Sequence, residues 1–403
     1  MAALGVLTYH VGQLNDRHGW LAASTSRLWL GVPLFFMLSG FLLFLPFAEA
    51  IVHGRPLPSF ARYGRSRLLR IAPAYWVVLT VELLRSPLYV NSAVAAFAMY
   101  LWLRAYISRS GVNVALAAVA TAVAIFALAG TTTPLIRHVV VANVFLYYLP
   151  FGPWGVLGPA WSLCIEVSFY LALPILVLCG SRLARRAATP AQRAGRLAGF
   201  LLPLAPMSVI YLWLARPSFA HVWLIAFIGQ FAVGMLLAVA LVVRRTASQV
   251  ASRRLLAGAL GVALAANLLH GVGPVDPSGN GSSVLYGPLM GVAFALALGS
   301  VLVRNEQTIL GRVLTARSVV AAGTVSYGIY LWHFPVIESL QRTVWWSNAT
   351  EAAALLVVLA ATLALATLSW LIVERPALAA KDRVGQRVAR DRAVAEPVVV
   401  ETA

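Results

Sequence analysis

The sequence predicts an all-α fold, a polytopic transmembrane helical bundle of about 10–12 spans. Three observations predict it. Of 403 residues, 61% are hydrophobic and only 11% are charged, against roughly a quarter charged in a soluble domain; mean hydropathy is +0.83. Apolar runs of about twenty residues recur along the chain, each long enough to cross the hydrocarbon core as a helix. Basic residues fall in short blocks between those runs, as the positive-inside rule requires.

The net charge of +18 does not indicate nucleic-acid binding, because its arginines are dispersed among connectors instead of sharing one face. Cys164 and Cys179 lie fifteen residues apart in one predicted helix, too far along its axis to form a disulfide. No Cys/His spacing suggests a metal site, and none is expected. No cleavable signal peptide is read. The arginine- and alanine-rich, lysine-poor usage points to a bacterial genome of high GC content.

Residues 1–12 are apolar but too short to span, and His10 closes the run. The true start is therefore expected upstream of Met1. The next span is 28–50, followed by a basic connector with Arg55, Arg62, Arg65, Arg67 and Arg70. A span at 71–89 follows, then shorter apolar runs at 93–107 and 114–130. Residues 137–151 read as interfacial or re-entrant, and a helix opens at Trp161 and ends near Cys179. The second half is more regular, with spans near 199–215, 219–243, 255–271, 284–303, 318–340 and 351–373. Its connectors at 182–196, 244–254 and 304–317 and the tail at 375–392 are basic, whereas those between them are nearly free of basic residues. The basic loops and the C-terminus are accordingly expected on the cytoplasmic side of a bacterial inner membrane. Twelve spans result if helix 1 is counted and 137–151 does not cross, or ten if 93–130 does not fully span. Residues 377–403 mix charge with small side chains and are expected to be a disordered cytoplasmic tail.

Ionisable groups inside apolar runs mark function, because a charge at mid-bilayer costs about 2.5–3.5 kcal/mol on insertion scales. Glu166 is the strongest case. Ser162, Glu166 and Tyr170 follow at i, i+4 and i+8 and share one helix face next to Trp161. Ser326, Tyr330 and His333 form a second polar stripe at i, i+4 and i+7. His10 follows Thr8 and Tyr9, and a neutral imidazole can take a proton from a hydroxyl near pH 7. A carboxylate would orient that ring, and Glu166 is the expected partner. Glu82 is a weaker candidate near the outer end of its span. Arg67 and Arg70, three apart, project together and can grip a phosphate bidentately; the same block read blandly is a topology signal.

Taken together, these residues resemble the integral-membrane acyltransferase-3 family. The landmarks occur in order: His10; Phe35-Phe36-Met37-Leu38-Ser39-Gly40-Phe41 followed by Arg65-Ser66-Arg67-Leu68-Leu69-Arg70-Ile71-Ala72-Pro73; Trp161-Ser162-Leu163 with Glu166 and Phe169-Tyr170; and Ser326-Tyr327-Gly328-Ile329-Tyr330-Leu331-Trp332-His333. The resemblance covers a transmembrane domain at 1–376 and implies the acyltransferase-3 fold. It implies transfer of an acyl group, usually acetyl, from acyl-CoA as co-substrate to a hydroxyl of a sugar, glycan or lipophilic glycosylated acceptor, with no bound cofactor. It implies His10 and Glu166 as the catalytic pair and Arg65, Arg67 and Arg70 at the CoA phosphates. It implies Ser39, Trp161, Ser162, Tyr170, Ser326, Tyr330 and His333 in the pocket, some of them donating to the oxyanion. One departure is evident: the family carries a basic residue eleven positions before its histidine, a position that here would precede Met1. The alternative from another class is a proton-coupled transporter with buried Glu and His, although the chain lacks the related halves common in such carriers.

Overall fold

Every described element is helical. The computed structural model describes residues 2–14, 24–85, 90–108, 117, 119–120, 157–214, 223–243, 249–270, 284–303 and 309–379. The apolar run at 137–151, nearly all of the run at 114–130 and the tail from 380 lie outside them. The chain divides into two compact units, Met1–Pro58 with Phe145–Leu363, and Ser59–Val144 with Ala364–Ala403.

The first unit begins with α1 (Ala2–Leu14), a 3-10 turn (Leu28–Leu30) and α2 (Gly31–His53). α1 runs one turn beyond His10, so the histidine lies within the helix and not at its end. α2 stops at Gly54, whose φ of +67° is a left-handed conformation that glycine adopts without strain. The unit resumes with a 3-10 turn (Gly158–Ala160) leading into α5 (Trp161–Ala184), then α6 (Pro190–Leu201) and α7 (Leu204–Leu214). Thr189 caps α6 in a capping box with Gln192, and Pro190 occupies the first helical position. α8 (Leu224–Val243), α9 (Gln249–Leu268) and α10 (Tyr286–Leu302) follow, with Ser252 Oγ of α9 donating to Ser300 O of α10 at 2.7 Å.

The core of this unit is the α2–α8 pair. Its backbones meet where neither helix has a side chain. A Cβ on Gly40 would lie 2.2 Å from Phe231 O, and one on Gly234 would lie 2.0 Å from Met37 O. Such close approach through small residues is how helices pack in lipid, where apolar burial alone does not drive association. Above it, Phe231 stacks between Phe169 of α5 at 4.0 Å and Phe36 of α2 at 4.8 Å. All three rings are buried.

The expected span at 318–340 is divided. α11 (Ile309–Thr315) and α12 (Arg317–Thr324) precede α13 (Ser326–Gln341), with the break at Val325. Gly323 weakens the helix there, and β-branched Thr324 and Val325 add little to restore it. The Ser326 hydroxyl turns back to donate to Gly323 O at 2.8 Å. α14 (Val344–Asn348) and α15 (Glu351–Ser369) complete the first half of the final span, and a π-turn (Trp370–Glu374) continues it.

The second unit contains α3 (Phe60–Leu84), α4 (Val90–Ser108), which packs on α3, and the end of the last helix with its π-turn. From Phe60 on, the expected connector is itself helical. Ser59 caps α3 by accepting from Arg62 N, so Arg62, Arg65, Arg67 and Arg70 ride on the first turns of α3, which continues through Pro73. Five described helices are long and apolar enough to cross a membrane, at Leu28–His53, Gly158–Ala184, Pro190–Leu214, Leu224–Val243 and Glu351–Ala379. α3 and α9 carry arginines in their opening turns, and α13 is short, which keeps these out of that class.

Candidate active site

Two histidines from opposite ends of the sequence meet in the first unit. α1 packs on α13, and His10 Nδ1 lies 3.0 Å from His333 Nε2. The rings are inclined by only 20°, with centroids 5.1 Å apart, so the contact lies near the plane of both and suits an N–H···N bond. His333 is fully buried, and Phe334 meets the His10 ring edge-on at 5.7 Å.

The protons on this pair follow from its surroundings. His333 Nδ1 faces Tyr330 O at 2.7 Å and Ile329 O at 3.2 Å. Carbonyls only accept, so Nδ1 of His333 carries its proton and Nε2 offers a lone pair. His10 must then donate from Nδ1, which leaves its own Nε2 unprotonated. The helix backbone thereby fixes both tautomers and turns a basic nitrogen of His10 away from the pair.

The second cluster surrounds Glu166, 3% exposed on α5. Ser39 of α2 donates to Oε1 at 2.7 Å, and Tyr170 donates to the same oxygen at 2.5 Å. Two hydroxyl donors offset part of the cost of a buried carboxylate. One turn earlier, Ser162 Oγ is 2.7 Å from Tyr330 Oη. Tyr330 gives its own proton to Pro159 O, so Ser162 donates to Tyr330. Through these bonds α5 and the turn before it hold the residue whose carbonyl holds His333.

The family model described as an acyltransferase domain matches residues 1–374. The chain belongs to this acyltransferase family. Among curated proteins, the chain is 26% identical over 242 residues to a Bacillus subtilis (strain 168) protein named "Putative peptidoglycan O-acetyltransferase YrhL". The match covers 57% of this chain and 36% of the relative, so the chain spans about a third of that protein's length. No solved structure matches the chain.

The structure brings most of the sequence-predicted site residues into these clusters, with three differences. First, His10 bonds His333, and no hydrogen bond or ion pair joins it to Glu166. The reason is orientation: His10 faces α13, on which α1 packs most, whereas Glu166 faces Ser39 of α2. Second, the hydroxyl protons of Ser39, Tyr170 and Ser162 and the Nδ1 proton of His333 are already donated to protein acceptors, so in this arrangement they do not serve an oxyanion. Third, the Ser326 hydroxyl turns back to Gly323 O of α12 and has no hydrogen bond to Tyr330 or His333. Trp161 opens α5 against Phe227, with ring centroids 5.6 Å apart.

In the second unit, Arg65, Arg67 and Arg70 are half-buried along α3. Arg65 Nε is buried without a hydrogen-bond partner among the described residues, which suits an anion site. Arg67 Nη2 reaches Ser66 Oγ at 3.3 Å. Glu82 pairs with Arg85 one turn on, a local ion pair and no part of either cluster. Sequence reasoning missed Glu374, 2% exposed in the π-turn, which packs on α3 within electrostatic reach of Arg70. Its signal was a carboxylate closing an apolar run. Sequence reasoning also missed the Pro159 carbonyl, which no side-chain pattern reveals.

Proposed function

We propose that this protein is an integral-membrane O-acyltransferase that moves an acetyl group from acetyl-CoA to a hydroxyl of a sugar or glycan. The observation that carries this reading is the His10–His333 pair, whose hydrogen bonds leave His10 Nε2 as an unprotonated base. Family membership supports acyl transfer as the reaction class, and the name of the Bacillus relative supports a sugar-polymer acceptor.

The acceptor hydroxyl gives its proton to His10 Nε2 as its oxygen attacks the thioester carbonyl carbon. The carbonyl becomes a tetrahedral oxyanion, the C–S bond breaks, and the CoA sulfur leaves with the proton returned from Nε2. An ester and free CoA result, and His10 is restored. As Nε2 gains its proton, His10 becomes cationic, and the lone pair of His333 Nε2 stabilises it through the shared Nδ1–H. Glu166 builds the site by holding Ser39 and Tyr170. Arg65, Arg67 and Arg70 supply positive charge for the CoA phosphates. The basic helix ends and loops lie on the cytoplasmic face of the inner membrane, the side that holds acyl-CoA.

The test is transfer of labelled acetyl from acetyl-CoA to glycan strands by the full chain in lipid nanodiscs. Ester-linked label is expected with the native chain and not with His10→Gln. Equal label with both would remove His10 from the reaction, and no label on any sugar hydroxyl would overturn the acceptor class.

A further inference from the structure

Glu374 closes the π-turn of the last span with only 2% of its surface exposed. Both of its carboxylate oxygens are buried without a hydrogen-bond partner among the described residues. The π-turn decides what the carboxylate meets. Residues five apart stand about 140° from each other around an α-helix, whereas the i→i+5 bonds of a π-turn bring them to one face. Ser369 and Glu374 are so related, and the serine hydroxyl is one of two groups that act on the carboxylate. The other is the guanidinium of Arg70 on α3, the helix against which the π-turn packs. Arg70 and Glu374 both belong to the second unit. A buried carboxylate needs an opposite charge to offset its lost hydration, and Arg70 supplies it. The attraction is mutual and, away from water, weakly screened. A guanidinium carries five donors around a planar fork, so it can be drawn to a carboxylate at one edge and grip a phosphate at another.

We propose that Glu374 is a positioning residue for the acyl-CoA donor: its carboxylate orients the Arg70 guanidinium for the CoA phosphates. Glu374 is sealed from solvent, so it touches no substrate and acts through Arg70. The competing role is a plain tie between α3 and the last span. A tie contributes stability and has no bearing on donor affinity, whereas an oriented guanidinium lowers the cost of ordering that side chain when the phosphates bind. The proposal rests on the reading of the α3 arginines as the CoA site.

The experiment is equilibrium binding of CoA to the full chain in nanodiscs, with kcat and KM for acetyl-CoA measured in parallel. Arg70→Gln is expected to weaken CoA binding. Glu374→Gln, nearly the same in shape, should weaken CoA binding and raise KM about fivefold or more, while kcat at saturating acetyl-CoA stays native. Glu374→Asp keeps the charge and should recover part of the loss. Because Glu374 acts through Arg70, the double variant Arg70→Gln/Glu374→Gln should bind CoA no more weakly than Arg70→Gln alone. That variant removes both charges, so it carries the test even where Glu374→Gln by itself fails to fold. Native or tighter CoA binding in Glu374→Gln would overturn the proposal, as would a further loss in the double variant. A lower kcat and melting temperature at unchanged KM would show a structural tie and overturn it too. Native CoA affinity in Arg70→Gln would overturn the donor-site reading beneath it.

Discussion

His333 Nε2 accepts the Nδ1 proton of His10 across 3.0 Å, joining residues 323 positions apart. The bond is asymmetric by construction. His333 is anchored by two carbonyls of its own helix, so its tautomer is set before α1 arrives, and His10 takes the complementary one. Nitrogen NMR of the histidine-labelled protein checks this directly. Both Nδ1 atoms are expected to carry protons and both Nε2 atoms to be bare. A protonated Nε2 on His10 would contradict the assignment.

Glu166 gathers two hydroxyl protons on one oxygen. Glu166→Ala leaves Ser39 and Tyr170 without that acceptor in a dry setting, and a loss of about 1–3 kcal/mol is expected. Glu166→Gln keeps a carbonyl and should recover part of it. Thermal unfolding in nanodiscs measures both, and equal losses in the two variants would show that the acceptor atom is not what matters.

Gly40 and Gly234 interlock α2 and α8 backbone to backbone. A methyl group at either position lands on a main-chain carbonyl that cannot swing aside. Gly40→Ala and Gly234→Ala are each expected to destabilise the protein by about 1–3 kcal/mol or more. Gly195→Ala, where nothing lies within 4 Å, is the control and should melt like the native chain. Native-like melting of all three would show that the helices separate easily.

The arginines of α3 should act on acyl-CoA alone. Arg67→Glu and Arg70→Glu are each expected to raise its apparent KM about tenfold or more, less at high salt. An unchanged KM would remove them from the donor site.

Much of this was legible in the sequence because the bilayer simplifies the rules. Helices are the only described elements, their apolar lengths were readable, and Ser162, Glu166 and Tyr170 fall on one face because 3.6-residue periodicity puts them there. What was not legible is which helix lies beside which. His10 and Glu166 looked like partners because both are ionisable, yet pairing depends on which way each side chain turns, His10 toward α13 and Glu166 toward α2. α3 starts earlier than the reading that put Arg67 and Arg70 at a helix start, because Ser59 caps it and Arg62 and Arg65 already lie in its first turns. The break at Val325 was missed because periodicity continues through a weak glycine.

The most direct measurement is a double-mutant cycle on acceptor-dependent CoA release. His10→Ala is expected to lower turnover about 10²–10⁴-fold, the usual contribution of a positioned base. His333→Ala should lower it on the order of 10–100-fold, the loss when a partner that orients a histidine is removed. Because His333 acts only through His10, the double variant should be no slower than His10→Ala alone. Losses that multiply, or full turnover without His10, would contradict the account.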